Sequence, residues 1–214
     1  MTLLDDKAES ALGSLSNLGL GIEEEDEYSG VSGDIFLEVK DTNTGEILDS
    51  REWNNVITRD YSILLARLAA DNLEPRHGVF ALAVGTGDVG WDLQNPPAAQ
   101  DTKRSLHNEI ERKTFAEVQF RKDDGSQSSI PTNVVDFKTV FTENEAVGAL
   151  VEMGLLGGDV IEDMNVRNPV TPATGPYDDT VDLQGKDTLV NAHNFPVVNK
   201  PASAKMSITW RITH

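Results

Sequence analysis

The sequence predicts a mainly β chain: an antiparallel β-sandwich with one packed α-helix and an extended N-terminal arm. Three observations predict it. The closing segment places Ala204, Met206, Ile208, Trp210 and Ile212 on one face and Lys205, Ser207, Thr209, Arg211 and Thr213 on the other, the period of a half-buried antiparallel strand. Several shorter alternating runs are separated by polar turns. Only one stretch sustains a helical period. At 214 residues the chain can bury one good core, and all-β domains often reach this size undivided. The expected organisation is an acidic arm and linker over residues 1–30, then a sandwich over 31–214 with a long loop insertion at 157–185.

Within the arm, Leu4, Ala8, Ala11, Leu12, Leu15 and Leu18 fall at helical spacing, but Gly13 interrupts them and Gly19 and Gly21 end them. Residues 1–30 carry eight acids and one Lys, including the run Glu23-Glu24-Glu25-Asp26-Glu27. Composition of this kind is that of a disordered tail. The competing expectation is an arm that docks on a neighbouring subunit through Leu4, Leu12, Leu15 and Leu18.

From Val31 the signals are β. Ile35, Leu37 and Val39 alternate with Phe36, Glu38 and Lys40, and "DTNTGE" supplies a hairpin turn before Ile47-Leu48. Ile57, Tyr61, Leu64, Leu65 and Leu68 then mark one face of a helix from about Thr58, its N-cap, to Ala70. Beyond Pro75 and Gly78, the strand Val79 to Val84 runs into "GTGDVG", a complete GxGxxG at Gly85, Gly87 and Gly90. In dinucleotide-binding proteins such a turn must open a helix whose N-terminus meets the phosphates. Pro96-Pro97 forbid a helix running directly out of this turn. The glycines therefore read as a strand-closing turn. A short helical piece is expected later, from Asp101 as N-cap through Leu106 to Ile110.

Thr114 to Arg121 and Val134 to Phe141 alternate as strands around the polar loop "KDDGSQSSIPTN", which predicts a second hairpin. Thr142 and Glu145 have capping-box spacing and suggest one helical turn before Val147 to Leu156. Gly148 and Gly154 weaken a helix there and make a strand at least as good a reading. Residues 157–185 are rich in Gly, Pro and Asp without sustained periodicity, and they read as a binding or interface loop containing Tyr177.

Composition narrows function. Thirty-six acidic against eighteen basic residues give a net charge of -18, which repels phosphate backbones and anionic membranes. Neither nucleic-acid binding nor membrane insertion is expected. Asp outnumbers Glu twenty to sixteen, a balance that also suits solubility at very high salt. The absence of Cys excludes disulfides, zinc–thiolate sites and thiol nucleophiles. "MTLLDDKAES" lacks a basic region followed by an apolar run, so a soluble chain without a signal peptide is expected.

Candidate chemistry is sparse. No GxSxG, HExxH, Walker or deaminase motif occurs, and the four His lie far apart at 77, 107, 193 and 214. His107 with Glu109 and Glu111 is the nearest approach to a metal or acid/base cluster, but the expected helical character of that stretch would keep the three off one face. Asp123-Asp124 and Asp178-Asp179 sit in polar loops, where unburied acids keep ordinary pKa values. Asp41-x-Asn43-x-Gly45 resembles the start of a calcium loop but lacks the distal Glu. Trp53, Trp91 and Trp210 could stack on sugar rings if exposed, although Trp beside strands is more often core. No catalytic residue, cofactor or metal is expected.

Six segments together resemble virion proteins of tailed bacteriophages and archaeal tailed viruses, particularly those associated with tail fibres and baseplates. They are "WNNVITRDYSILLARLAA" (53–70), "ALAVGTGD" (81–88), "NPPAAQDTKRSLHNEIERK" (95–113), "VVDFKTVFTENEA" (134–146), "LVEMGLL" (150–156) and "PASAKMSITWRIT" (201–213). Their order and spacing carry the resemblance, which spans about residues 53–213. Asp60 stands where those proteins have Gly. The resemblance implies a non-enzymatic structural subunit of a virus tail, baseplate or fibre, assembled in the host cytoplasm. It would join other virion proteins and copies of itself in a trimer or ring. The arm, which lies outside the resemblance, and the 157–185 loop are read as the assembly devices, with an expected interface that includes Leu4, Leu12, Leu15, Leu18 and Tyr177. The competing classes are a receptor- or glycan-binding fibre module and a capsid decoration or turret protein.

Overall fold

The computed structural model describes residues 30–70, 77–158 and 187–214. These residues belong, apart from Gly30, to one compact unit, Val31–His214. It contains ten strands and one helix among the described residues: β1 (Ser32–Asp41), β2 (Ile47–Asn54), β3 (Val56–Ile57), α1 (Arg59–Ala70), β4 (His77–Gly85), β5 (Glu109–Thr114), β6 (Glu117–Arg121), β7 (Val134–Phe141), β8 (Gly148–Gly158), β9 (Asp187–Lys200) and β10 (Ala204–Thr213). Two five-stranded antiparallel sheets result, ordered β2-β1-β10-β7-β6 and β3-β9-β8-β4-β5. This is the expected β-sandwich with one packed helix.

Alternation explains the layers. In β10 the residues Ala204, Met206, Ile208, Trp210 and Ile212 are all fully buried, and register puts Ile35 opposite Trp210 and Trp210 opposite Phe137. Across the core, Leu82, Val84, Leu150, Met153, Leu155, Val190 and Phe195 from the second sheet join the same hydrophobic cluster. Each such side chain, fully buried, contributes about 1.5–3 kcal/mol from removal of apolar surface from water. Arg51 stitches the layers from β2, donating to the Pro196 and Val197 carbonyls of β9 at 2.9 and 3.1 Å.

The helix adds Tyr61 and Leu64 to the main core and packs mostly on β9. It starts one residue after Thr58, as the spacing predicts, but Thr58 does not act as a side-chain cap. Its hydroxyl points at the Leu189 and Val190 carbonyls of β9, at 2.5 and 2.8 Å, so it ties the helix start to the sheet.

Three further expectations are corrected. Residues 101–108 form no helix, and Ile110 lies in β5. The backbone groups that a helix would pair internally are taken elsewhere: Asp101 O accepts from Arg59 N at 2.9 Å, and the His107 and Asn108 amides donate to Glu152. The predicted strand from Thr114 to Arg121 is also two strands. Thr114 ends β5 in one sheet, Glu117 begins β6 in the other, and Ala116 N donates to Lys138 O at 2.7 Å where the chain crosses. Finally, Thr142 and Glu145 make one of the two capping-box contacts without a helix: Thr142 N donates to Glu145 Oε2 at 2.7 Å, while Glu145 N donates to the backbone carbonyl of Thr142 at 3.2 Å. Asn144 and Ala146 have φ of 65° and 50°, left-handed values that turn the chain into β8. The buried Lys200 ammonium closes that turn by donating to Thr142 O at 3.0 Å.

The outer surface of the second sheet is covered. Ala81, Ala83, Leu156, Leu189 and Ala192 would face water, but Leu106 and Ala99 pack on them in a second small cluster. Residues 86–108 thus form a strap across the sheet. It is held to β9 by Val197 N donating to Leu93 O and by Asn194 Nδ2 donating to Pro97 O, both at 2.8 Å.

Candidate functional site

The glycine turn that ends β4 does bind an anion, and the anion is the chain's own Glu152. In β8, Glu152 interrupts the apolar run "ALVEMGLL" and pairs in register with Gly85. Its side chain is fully buried. Oε1 accepts from Gly87 N at 3.2 Å and Asn108 N at 2.8 Å; Oε2 accepts from His107 N and Lys103 Nζ, both at 2.9 Å. Lys103 is itself nearly buried and also donates to Asn194 Oδ1 at 3.0 Å.

The glycines are what allow this approach. A Cβ on Gly85 would lie 2.6 Å from both Glu152 Oε1 and Asn108 O. Gly87 has φ +68°, and a Cβ there would lie 2.5 Å from the Trp91 ring. The GxGxxG spacing therefore serves a turn that wraps an internal carboxylate, with no helix attached.

Burial alone would raise the Glu152 pKa, but the Lys103 charge and the amides of Asn108 and His107 together hold it below the ordinary value of 4.5. Burial pulls the Lys103 ammonium down while Glu152 supports it. The result is a desolvated ion pair with its lone pairs filled, the arrangement in which a buried pair is tolerated. His107 Nδ1 lies 3.6 Å from Glu152 Oε2, and its ring meets Trp91 edge-on at 4.6 Å between centroids. Lys103 Nζ sits 5.5 Å from the Trp91 ring centroid. Beside this cluster the strap borders a cavity of about 260 Å³, open to solvent on one side and lined in part by Trp91, Ser105 and His107.

Asp60 is buried and lies 3.4 Å from Arg104 Nε, linking the helix start to the strap. Glu109 does not join His107 in a ligand set: it is buried and bound to Arg112 at 2.5 and 2.8 Å. The expected helical character here is wrong, since Glu109 and Glu111 lie in β5, yet the alternate positions still assemble no cluster. Among the described residues no group of three His, Cys, Asp or Glu side chains could hold a metal ion. At the calcium-like loop, Asp41 Oδ1 accepts from the Asn43 and Thr44 amides at 2.9 and 2.8 Å, a local turn that lowers its pKa.

Of the tryptophans, Trp210 is core and Trp53 packs between His193 and Phe195 at centroid distances of 5.1 and 5.2 Å. Trp91 alone of the three lines the cavity. Leu4, Leu12, Leu15, Leu18 and Tyr177, and the pair Asp178-Asp179, lie outside the described residues. Among the described residues no helix is long and apolar enough to cross a membrane. Sequence reasoning missed Glu152, although a single acid inside a seven-residue apolar run is a detectable signal for a buried, partnered charge.

No family model matches this chain, and no curated protein sequence does.

Proposed function

We propose that this chain is a non-enzymatic structural subunit of a tailed-virus particle, belonging to its tail, baseplate or fibres and joined there to other virion proteins and to copies of itself. The observation that carries the reading is where the resembling segments fall. Residues 81–88 supply the glycine turn, 95–113 the strap with Lys103 and His107, and 150–156 the strand bearing Glu152. Segments far apart in sequence thus meet in one interlocked cluster, which supports a likeness in architecture rather than in a few short words.

The fate of the charged groups supports the non-enzymatic part. Glu152 with Lys103, Asp60 with Arg104 and Glu109 with Arg112 form internal pairs that join segments of the fold, a structural use of these charges. Rotational symmetry of a virus tail would give the subunit a trimeric or ring arrangement. Gold labelling of particles with an antibody to this chain, together with the mass of the purified chain in solution, tests the reading. Tail-localised label and a discrete oligomer are expected. Unlabelled particles together with a monomer at every concentration would overturn it.

A further inference from the structure

The strap cavity has a chemistry that the assembly role leaves unused. Its volume, about 260 Å³, falls just below the range of roughly 300–1,000 Å³ typical of drug-sized ligands, so it suits a single ring rather than a nucleotide. Trp91, Pro97, Ala98 and Ala99 contribute apolar surface to its lining. Gln100, Thr102 and Ser105 contribute neutral polar groups. Gln100 and Thr102 are exposed, with side chains that hydrogen-bond to no described residue. Ser105 Oγ is buried and lacks a hydrogen-bond partner among the described residues, a costly condition that a ligand hydroxyl would relieve.

Charge selects among ligands. The two cations in the lining, Lys103 and Arg104, are each matched by a carboxylate, Glu152 at 2.9 Å and Asp60 at 3.4 Å. The chain carries a net charge of -18. A phosphate or carboxylate would thus enter against the field of the whole chain.

We propose that this cavity is a binding site for one neutral sugar ring of the hexopyranose class, with Trp91 meeting its C–H groups and Gln100, Thr102 and Ser105 serving its hydroxyls. A pyranose has a face of C–H groups and a rim of hydroxyls that both donate and accept, which suits a lining that offers an aromatic ring together with neutral polar groups. An aromatic ring against C–H groups supplies contact area, while the polar rim fixes orientation.

The test is a ¹⁵N–¹H NMR titration of the full chain with glucose, galactose, mannose and N-acetylglucosamine, run beside inorganic phosphate and AMP. The Trp91 indole signal is assigned with Trp91→Phe. At least one sugar is expected to shift the Trp91 indole and the Gln100 and Ser105 amides saturably. Gln100→Ala with Ser105→Ala should weaken that binding at least fivefold while leaving the melting temperature unchanged. The proposal is overturned if no sugar gives a saturable shift up to about 50 mM, well above a millimolar dissociation constant. It is equally overturned if shifts centre elsewhere, if the double variant binds as well as the wild type, or if phosphate or AMP moves the same signals more strongly. None of these outcomes depends on whether the chain assembles into a particle.

Discussion

Replacing Glu152 with Gln keeps the shape of the side chain and removes its charge. Whichever way the new amide turns, its NH2 must face two donors. In one orientation these are Lys103 Nζ and His107 N, both 2.9 Å from Oε2; in the other they are Gly87 N and Asn108 N, 3.2 and 2.8 Å from Oε1. In both, the nearly buried Lys103 ammonium loses its counter-ion. Removing one partner of a buried pair costs about 3–5 kcal/mol. The orphaned amides add less than their separate desolvation costs, because the strap can open to let water reach them. The expected loss is therefore about 3–5 kcal/mol, against a total stability of about 5–15 kcal/mol. For a chain of this size that corresponds to a fall in Tm of about 6–20 °C. Urea unfolding followed by tryptophan fluorescence measures it, with the slope against denaturant expected to stay constant. Adding Lys103→Met to the Gln variant should recover part of the loss, with a coupling of at least about 1 kcal/mol. A Glu152→Gln variant within about 0.5 kcal/mol of the parent would refute the account of the strap.

Four other outcomes follow from the same geometry. Gly87→Ala should destabilise by at least about 2 kcal/mol, combining a left-handed backbone with contact against the Trp91 ring, as a thermal melt would register. Because the Glu152 pKa is lowered on folding, its stabilisation is complete above 4.5 and is lost as pH falls through the lower folded value, which pH-dependent urea melts of parent and Glu152→Gln would separate. His193 is pushed by burial from 6.5 to about 4, so the unfolded chain binds the extra proton between those values and stability is lost as pH drops from 6.5 towards 4. The full linkage is about 3 kcal/mol, reduced to about 2 by the ring's partial exposure, and His193→Gln should flatten the slope. Burial raises Tyr61 to about 12, so stability should fall between pH 10 and 12, and Tyr61→Phe, which also loses the 3.1 Å contact with His214 Nε2, should abolish that fall.

Period-2 alternation was legible wherever one face of a strand meets the core and the other meets water. β10 is the clearest case, and the β1–β2 and β6–β7 hairpins follow the same rule. The helix was legible for the corresponding reason, since only one of its faces packs on β9. Reading failed where both faces of a segment are covered. β8 lies between the main core and the strap, so its apolar run shows no period, and the one acid in it was not singled out. Residues 101–108 misled in the opposite direction, because Asp101 and Leu106 imitate a capped helix while the local amides serve a carboxylate some forty-five residues away. The strand from Thr114 failed because alternation cannot mark the residue at which a chain changes sheets. The cavity was invisible for a related reason: Trp91, Ser105 and His107 share no period and meet only because the strap is folded over.

A glycine turn already filled by Glu152 is a receptor with its competitor tethered in place. Any dissolved anion must displace a carboxylate whose local concentration is fixed by the sheet and does not fall on dilution. Phosphate or nucleotide in solution therefore meets a saturated site, however well the glycine spacing would suit it. The same tether works in the other direction during folding. The turn, the strap and β8 cannot complete these hydrogen bonds separately, so one side chain ties together three distant segments of the chain.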